Sequence, residues 1–269
     1  MKKLVISLEN AHDRREHIAK QFESNNISYE FFDAINANQI TIAAEKLNIS
    51  ITNTQLGRNE IACFLSHASI WQLAVENNYP YVCIFEDDVY LGENSEFYLN
   101  NILEWKPDDA HILKLEIYNK SIKINQRFKS LKVGNRKLVK LATKHTGCAG
   151  YAITLEAAQT LLGIVRNHEE LIPVDHIVFG DFLYNYNANI YQILPAICIQ
   201  SQHYKSTESL ASYLEFERRS RQATPSSNNK KFINRLFREG KRLIRQVINT
   251  IERINLRFKG IKELRLTFK

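Results

Sequence analysis

Cysteine is scarce in this chain, with four in 269 residues, and no two of them form a CxxC pair. Cys63, Cys83, Cys148 and Cys198 lie far apart in mostly apolar company. Neither a zinc-binding pattern nor a disulfide framework is indicated, and a reducing compartment fits. The sequence also lacks GxGxxG and GxxxxGK[ST], so neither a dinucleotide fingerprint nor a phosphate-binding P-loop has support. No apolar run is long enough to span a bilayer. The N-terminal MKKLVISLENAHDRRE turns charged after a few apolar residues, too soon for an export signal. A cytoplasmic protein is expected.

Charge is unevenly spread. From Arg218 to Lys269 there are 16 lysine and arginine residues against Glu239, Glu252 and Glu263, a net +13, which leaves −6 on the rest of the chain. The overall +7 therefore belongs to the tail, and residues 1–217 form a mildly acidic unit. With 44% hydrophobic residues, that unit can build a substantial core.

The most informative stretch is Tyr81 to Gly92, YVCIFEDDVYLG. An apolar, β-rich run ends abruptly in Glu86, Asp87 and Asp88. Three adjacent carboxylates at the mouth of a buried strand repel one another unless water, hydrogen bonds or a cation offsets the repulsion. Hard oxygen ligands suit Mg²⁺ or Mn²⁺. The alternative is a solvated loop beside a helix N-terminus.

Around this motif the pattern is that of an α/β fold. Leu4 to Leu8 reads as a strand, Asp13 to Ser24 as a helix burying Ile18 and Phe22, and Tyr29 to Phe32 as a second strand ending at Asp33. Such a strand-helix-strand start gathers ligands at the carboxyl ends of its strands, with Arg14 and Arg15 in the first strand-to-helix region and Asp33 at the end of the second strand; a solvated helix face and a turn residue are the alternative readings. Asn59 is expected to cap a periodic helix through Ile61, Leu65, Ala68, Trp71 and Val75, with Glu60, Ser66 and His67 on it. Ser95 to Trp105 reads as a helix, and Ala110 to Glu116 reads as a buried strand ending in a carboxylate. Asn119 to Leu141 suggests a hairpin around Gly134-Asn135. His145 to Thr154, HTGCAGYAIT, enters a strand through small residues, where glycine, Gly150 included, permits close approach of a ligand or a tight turn. A helix from Glu156 to Val165 follows, Asp175 stands at a helix start in a capping position, and a last strand runs through Tyr191 to Gln202 with His203 after it.

These segments resemble glycosyltransferase family 25, in particular its bacterial lipooligosaccharide β-1,4-galactosyltransferases. The likeness rests on VISLENAHDRREHIAKQF, YEFFDAI, NEIACFLSHASIW, YVCIFEDDVYLGE, the KLE of Lys114 to Glu116, HTGCAGYAIT, PVDHIVFGDF and LPAICIQSQHY, in order, over about Leu4 to Tyr204. It implies a GT-A type nucleotide-sugar-binding fold with a mixed central sheet flanked by helices. It also implies an inverting transfer of galactose from UDP-galactose to a hexose hydroxyl of a lipooligosaccharide, with UDP-glucose or UDP-N-acetylgalactosamine as alternative donors.

By the same resemblance, the acidic motif is DxD-like and holds Mn²⁺ or Mg²⁺ against the donor diphosphate through Asp88 and Asp87, Glu86 supporting and His203 adding a ligand. Asp175 is implied as the general base, with Glu116 and Asp181 in reserve. Ser7, Arg14, Arg15 and Asp33 are implied for uridine and ribose, and Glu60, Ser66 and His67 for the donor or acceptor pocket.

The tail, residues 218–269, has apolar positions at helical spacing from Phe232 to Ile261 among its basic residues. That is the pattern of an amphipathic helix on an anionic membrane surface, here the cytoplasmic face of the inner membrane, close to a lipid-anchored acceptor. Packing on its own domain or pairing in a homodimer are the alternatives. Nucleic-acid binding fits the pI of 9.1 but has no motif behind it, and a two-metal phosphohydrolase lacks a second ligand set.

Overall fold

The computed structural model describes residues 1–118, 121–126, 129–204, 258 and 260–269. In chain order the first half runs β1 (Lys2–Ser7), α1 (His12–Glu23), β2 (Glu30–Asp33), α2 (Ile40–Leu47), α3 (Arg58–Glu76), β3 (Tyr81–Glu86), β4 (Val89–Leu91), α4 (Ser95–Asn100) and α5 (Ile102–Trp105). Then come β5 (Ile112–Lys114), β6 (Glu116–Ile117), β7 (Ser121–Asn125), β8 (Leu131–Val133), β9 (Arg136–Lys140) and β10 (Gly150–Thr154). The remainder is α6 (Leu155–Arg166), α7 (Val174–His176), a π-turn over Ile177–Asp181, α8 (Phe182–Asn185), β11 (Ile190–Leu194), β12 (Cys198–Gln200) and β13 (Ile261–Arg265).

Eight of these strands form one mixed sheet in the order β2-β1-β3-β10-β5-β11-β9-β8. The α/β class and the mixed sheet flanked by helices are those expected. Alternation along each strand feeds a core on either face. Leu4 and Ile6 of β1, and Val82 and Ile84 of β3, face the layer built by α2, α3 and α6, while Val5, Cys83 and Phe85 face the layer containing Ile18 and Phe22 of α1. Trp71, Phe64 and Leu65 are fully buried, which accounts for the periodicity read in α3.

The register sets the site. β1, β2 and β3 are parallel, with Ser7 opposite Asp33 and Ile6 opposite Glu86, so their carboxyl ends share one edge. β10 runs the other way and starts at that edge, Gly150 opposite Phe85, and Lys114 of β5 pairs with Tyr151 beside it. The EDD motif, the HTGCAG segment and the KLE segment are thereby brought together from distant parts of the chain.

Four expectations are corrected locally. Ala110 to Glu116 is not one strand: the chain leaves the main sheet after Lys114, and β6 pairs with β12 in a small sheet with β4. Ser95 to Trp105 breaks at Asn101 into two short helices. The N-cap of α3 is Gly57, not Asn59, and Glu60 Oε2 accepts from the Gly57 N–H at 2.9 Å, a role in the cap that explains Glu60 without a ligand.

The fourth concerns the end of the tail. Helical spacing carried through Ile261 does not hold: Ile261–Arg265 is a strand, antiparallel to β7, and Leu266 is buried in the core. Leu264, Leu266 and Phe268 alternate at strand period, and this outweighs the helical pattern before them. Residues 205–257, on which most of the membrane-helix expectation falls, lie outside the described residues. Among the described residues no helix is long and apolar enough to cross a membrane.

Candidate active site

A cavity of about 360 Å³ opens at the carboxyl edge of β1 and β3. Ser7 and Leu8 from β1 and its following loop, Arg14 from α1, Cys63 and Ser66 from α3, and the acidic motif line it, together with Gln200. The chain must leave a parallel strand here to cross the sheet, so side chains at strand ends and helix starts converge without competing for the core.

Asp87 and Asp88 are almost fully buried, with 7% and 6% exposure. Arg14 Nη1 contacts Asp87 Oδ1 at 2.5 Å. Burial opposes the charge of Arg14, but Asp87, Asp88 and Glu86 together hold its pKa above the ordinary value. Asp88 is pushed up to about 7, first by burial and then by Glu86, against the pull of Arg14. Its Oδ1 is buried with no hydrogen-bond partner among the described residues. Glu86 is tied on three sides: Gln200 Nε2 donates to Oε2 at 3.0 Å, and His67 Nε2 and Cys63 Sγ stand 3.5 and 3.9 Å from Oε1.

A second carboxylate cluster lies alongside. Glu116 is fully buried, and the N–H of Gly150 donates to its Oε2 at 3.1 Å. Burial pushes Glu116 up to about 7, opposed by the fully buried Lys114, whose Nζ is 3.9 Å from Oε2. Lys114 donates to the Gly147 carbonyl and lies over the Phe179 ring. Asp175 Oδ2 accepts from the Gly147 N–H at 2.9 Å. Asp175 thus holds the HTGCAG turn in place of the cap expected of it. A side chain at Gly147, where φ is +88°, would meet Glu116 Oε1 at 2.2 Å, so both the turn and the close approach require glycine there.

Ser7, Arg14, Ser66, Glu86, Asp87 and Asp88 therefore share the cavity, whereas Glu116, Gly150 and Asp175 are not among its lining residues and are held together by the segment 147–150. Arg15 and Asp33 do not line it; they pair with each other, Arg15 also donating to the carbonyls of Leu8 and Ser7. Ser66 faces the cavity but its hydroxyl serves the backbone, accepting from Ile35 N and donating to Ala62 O. His67 is buried beneath, with Nδ1 2.9 Å from Tyr151 Oη. His203 is exposed and packs edge-on to Tyr118, outside the cavity lining, and Gln200 takes the place beside the carboxylates. Asp181 is 3.0 Å from His168 Nε2. Neither Cys63 nor Gln200 stands out in the sequence. The four-residue spacing of Cys63 and His67 on one helix face was the available signal for the first.

Residues 1–178 match the sequence family described as Glycosyltransferase family 25 (LPS biosynthesis protein). The chain is 38% identical over 225 residues to "Lipooligosaccharide biosynthesis protein lic2B" of Haemophilus influenzae, covering 80% of this chain and 82% of that one. It is 37% identical over 212 residues to "Lacto-N-neotetraose biosynthesis glycosyltransferase LgtE" of Neisseria gonorrhoeae, covering 76% and 75%. Among solved structures, a glycosyltransferase involved in the glycosylation of the major capsid of PBCV-1 aligns with a TM-score of 0.40 at 8% identity, covering 76% of this chain and 93% of that one. A matched segment that takes in β1 through α7, with every carboxylate of the cavity inside it, shows that this chain belongs to glycosyltransferase family 25.

Proposed function

We propose that this protein transfers galactose from UDP-galactose to a hexose hydroxyl of a lipooligosaccharide acceptor, with inversion at the anomeric carbon and with Mn²⁺ or Mg²⁺ as cofactor. The observation that carries this reading is Asp88: a buried carboxylate beside two others, one oxygen lacking a partner among the described residues, at the wall of a cavity sized for a small polar ligand. A hard divalent cation fits that donor set, and Asp88 and Asp87 would hold it. When bound, it neutralises charge on the departing diphosphate.

The chain's own residues supply the rest. Arg14 places a fixed positive charge beside the carboxylates, where an anionic donor would otherwise be repelled. Asp175 is the base that takes the acceptor hydroxyl's proton, its orientation set by the Gly147 N–H. Glu116 positions the same turn through Gly150. The lipooligosaccharide acceptor is supported by the names of the relatives, and docking of residues 218–257 on an anionic inner-membrane surface by their basic charge.

The test is a panel of UDP-sugars offered with Mn²⁺, Mg²⁺ or chelator to lactose-type and glucose-terminated acceptors, with product mass and anomeric configuration read out. Galactosyl product of inverted configuration, formed only with metal and reduced about 10²-fold or more in Asp88→Asn, is expected. Equal turnover in chelator and in Asp88→Asn would remove the metal assignment. Sugar released equally well without acceptor would indicate a hydrolase.

A further inference from the structure

Cys63, His67 and Glu86 bring a thiol sulfur, an imidazole nitrogen and a carboxylate oxygen within 4.8 Å of one another. Cys63 and His67 stand one turn apart on α3, and Glu86 ends β3 across from them. Each ligand atom is already aimed. His67 is anchored through its other nitrogen, Nδ1, 2.9 Å from Tyr151 Oη, and that oxygen accepts from Trp71 Nε1 at 3.0 Å. Glu86 is anchored through its other oxygen by Gln200. Anchoring of a ligating histidine or carboxylate by an outer partner is the usual support of a metal site. Cys63 and Glu86 line the cavity, so an ion reaches them from it and keeps an open coordination position toward it.

We propose that Cys63, His67 and Glu86 form a second cation site, for Zn²⁺ or a similarly borderline-soft divalent ion. Sulfur, nitrogen and oxygen donors together select such ions, whereas the all-oxygen set of Asp87 and Asp88 selects hard ones. On binding, the Cys63 thiol gives its proton to solvent, and the His67 ring keeps its remaining proton on Nδ1, directed at Tyr151 Oη. Glu86 belongs to both sites, so zinc withdraws it from the acidic motif and inhibits transfer. That last consequence rests on the function proposed above; the zinc site does not.

The experiment uses the full chain, freed of metal and titrated with Co²⁺ and then Zn²⁺. A thiolate-to-cobalt charge-transfer band in the near ultraviolet is expected at one equivalent in the wild type and in Asp88→Asn, and not in Cys63→Ser. Zinc should displace the cobalt, and Cys63→Ser should bind zinc about tenfold or more weakly. Absence of the band in the wild type, or equal zinc affinity in Cys63→Ser, would overturn the site and leave the three groups as a hydrogen-bonded array. In manganese-supported transfer, with each variant normalised to its own zinc-free rate, zinc should inhibit the wild type and spare Cys63→Ser. Equal inhibition of both overturns the shared-ligand consequence. A wild type that shows the band but transfers no sugar from any donor would sink the proposed function and leave the zinc site standing.

Discussion

Arg14 and Asp87 form the contact through which the first helix meets the acidic motif, Nη1 to Oδ1 at 2.5 Å, with side-chain exposures of 21% and 10%. Removing Arg14 leaves Glu86, Asp87 and Asp88 with mutual repulsion that, among the described residues, no other cationic side chain offsets at ion-pair distance apart from the His67 ring 3.5 Å from Glu86. Breaking a partly buried pair in this way is expected to cost about 2–3 kcal/mol in metal-free protein. Protonation relieves repulsion among carboxylates, so Arg14→Ala should lose more at pH 8 than at pH 5. Urea denaturation of wild type and variant in chelator at both pH values checks this, and an equal loss at the two would mean the guanidinium serves packing alone.

Glu116 gives the pH dependence of the fold itself. Its folded-state value, about 7, lies above the ordinary 4.5, so the protonated form is the one folding favours. The resulting stability is fully present below pH 4.5 and is lost as pH rises through about 7. Asp88, raised from 3.8 to about 7, acts in the same direction. In metal-free protein, stability should therefore fall between pH 4 and pH 8. Glu116→Gln should shrink that fall by about 2–3 kcal/mol and leave the part due to Asp88. Denaturant midpoints across this range would show it, and an unchanged slope in the variant would mean that Glu116 stays ionised.

How far the chain could be read in advance follows from the range of the signals. The α3 stripe of Ile61, Leu65, Ala68 and Trp71, and the apolar run closing at Glu86, are local, and both elements lie within a residue or two of where periodicity puts them. The convergence of EDD, KLE and HTGCAG follows from strand direction, which the strand-helix-strand order foretold for β1 and β2 alone. By contrast, β4, β6 and β12 have two or three residues each, too few for a period, and they exist because they pair across long sequence separations. The place at the carboxylates expected of His203 falls to Gln200, because the chain turns into a 3₁₀ segment directly after β12 and carries the histidine outward to Tyr118. Asp175 is right for position and different in partner: the helix start was legible, the Gly147 N–H it accepts from was not.

On the proposed role of Asp175 as base, Asp175→Asn should separate proton transfer from donor binding. The amide can point its oxygen at Gly147 N–H and keep the turn, but it cannot accept a proton. Donor affinity measured by calorimetry with UDP should be unchanged within about twofold, with kcat down about 10²-fold or more. A matching loss of UDP affinity would instead make Asp175 a structural support of the turn. An unchanged kcat would pass the role to Glu116.

The C-terminal strand makes a prediction that charge segregation alone would reverse. A tail that merely docks on membranes should be removable without touching the fold. Here Leu266, 4% exposed, joins the core with Ile122 and Leu141, and the buried guanidinium of Arg136 donates to the Lys269 carbonyl at 2.8 Å and to those of Pro195, Ala196 and Glu93. Leu266→Ala should cost about 2–4 kcal/mol through lost burial and the cavity left behind. In a chain of this size that lowers the melting temperature by about 4 °C or more. Ending the chain after Gly260 should cost more than Leu266→Ala, since β7 loses its partner strand and Arg136 one of its acceptors. Thermal melts of the two variants side by side decide the matter. If the truncated chain melts with the wild type, β13 contributes nothing to the domain, and the tail is the detachable appendage that its charge suggests.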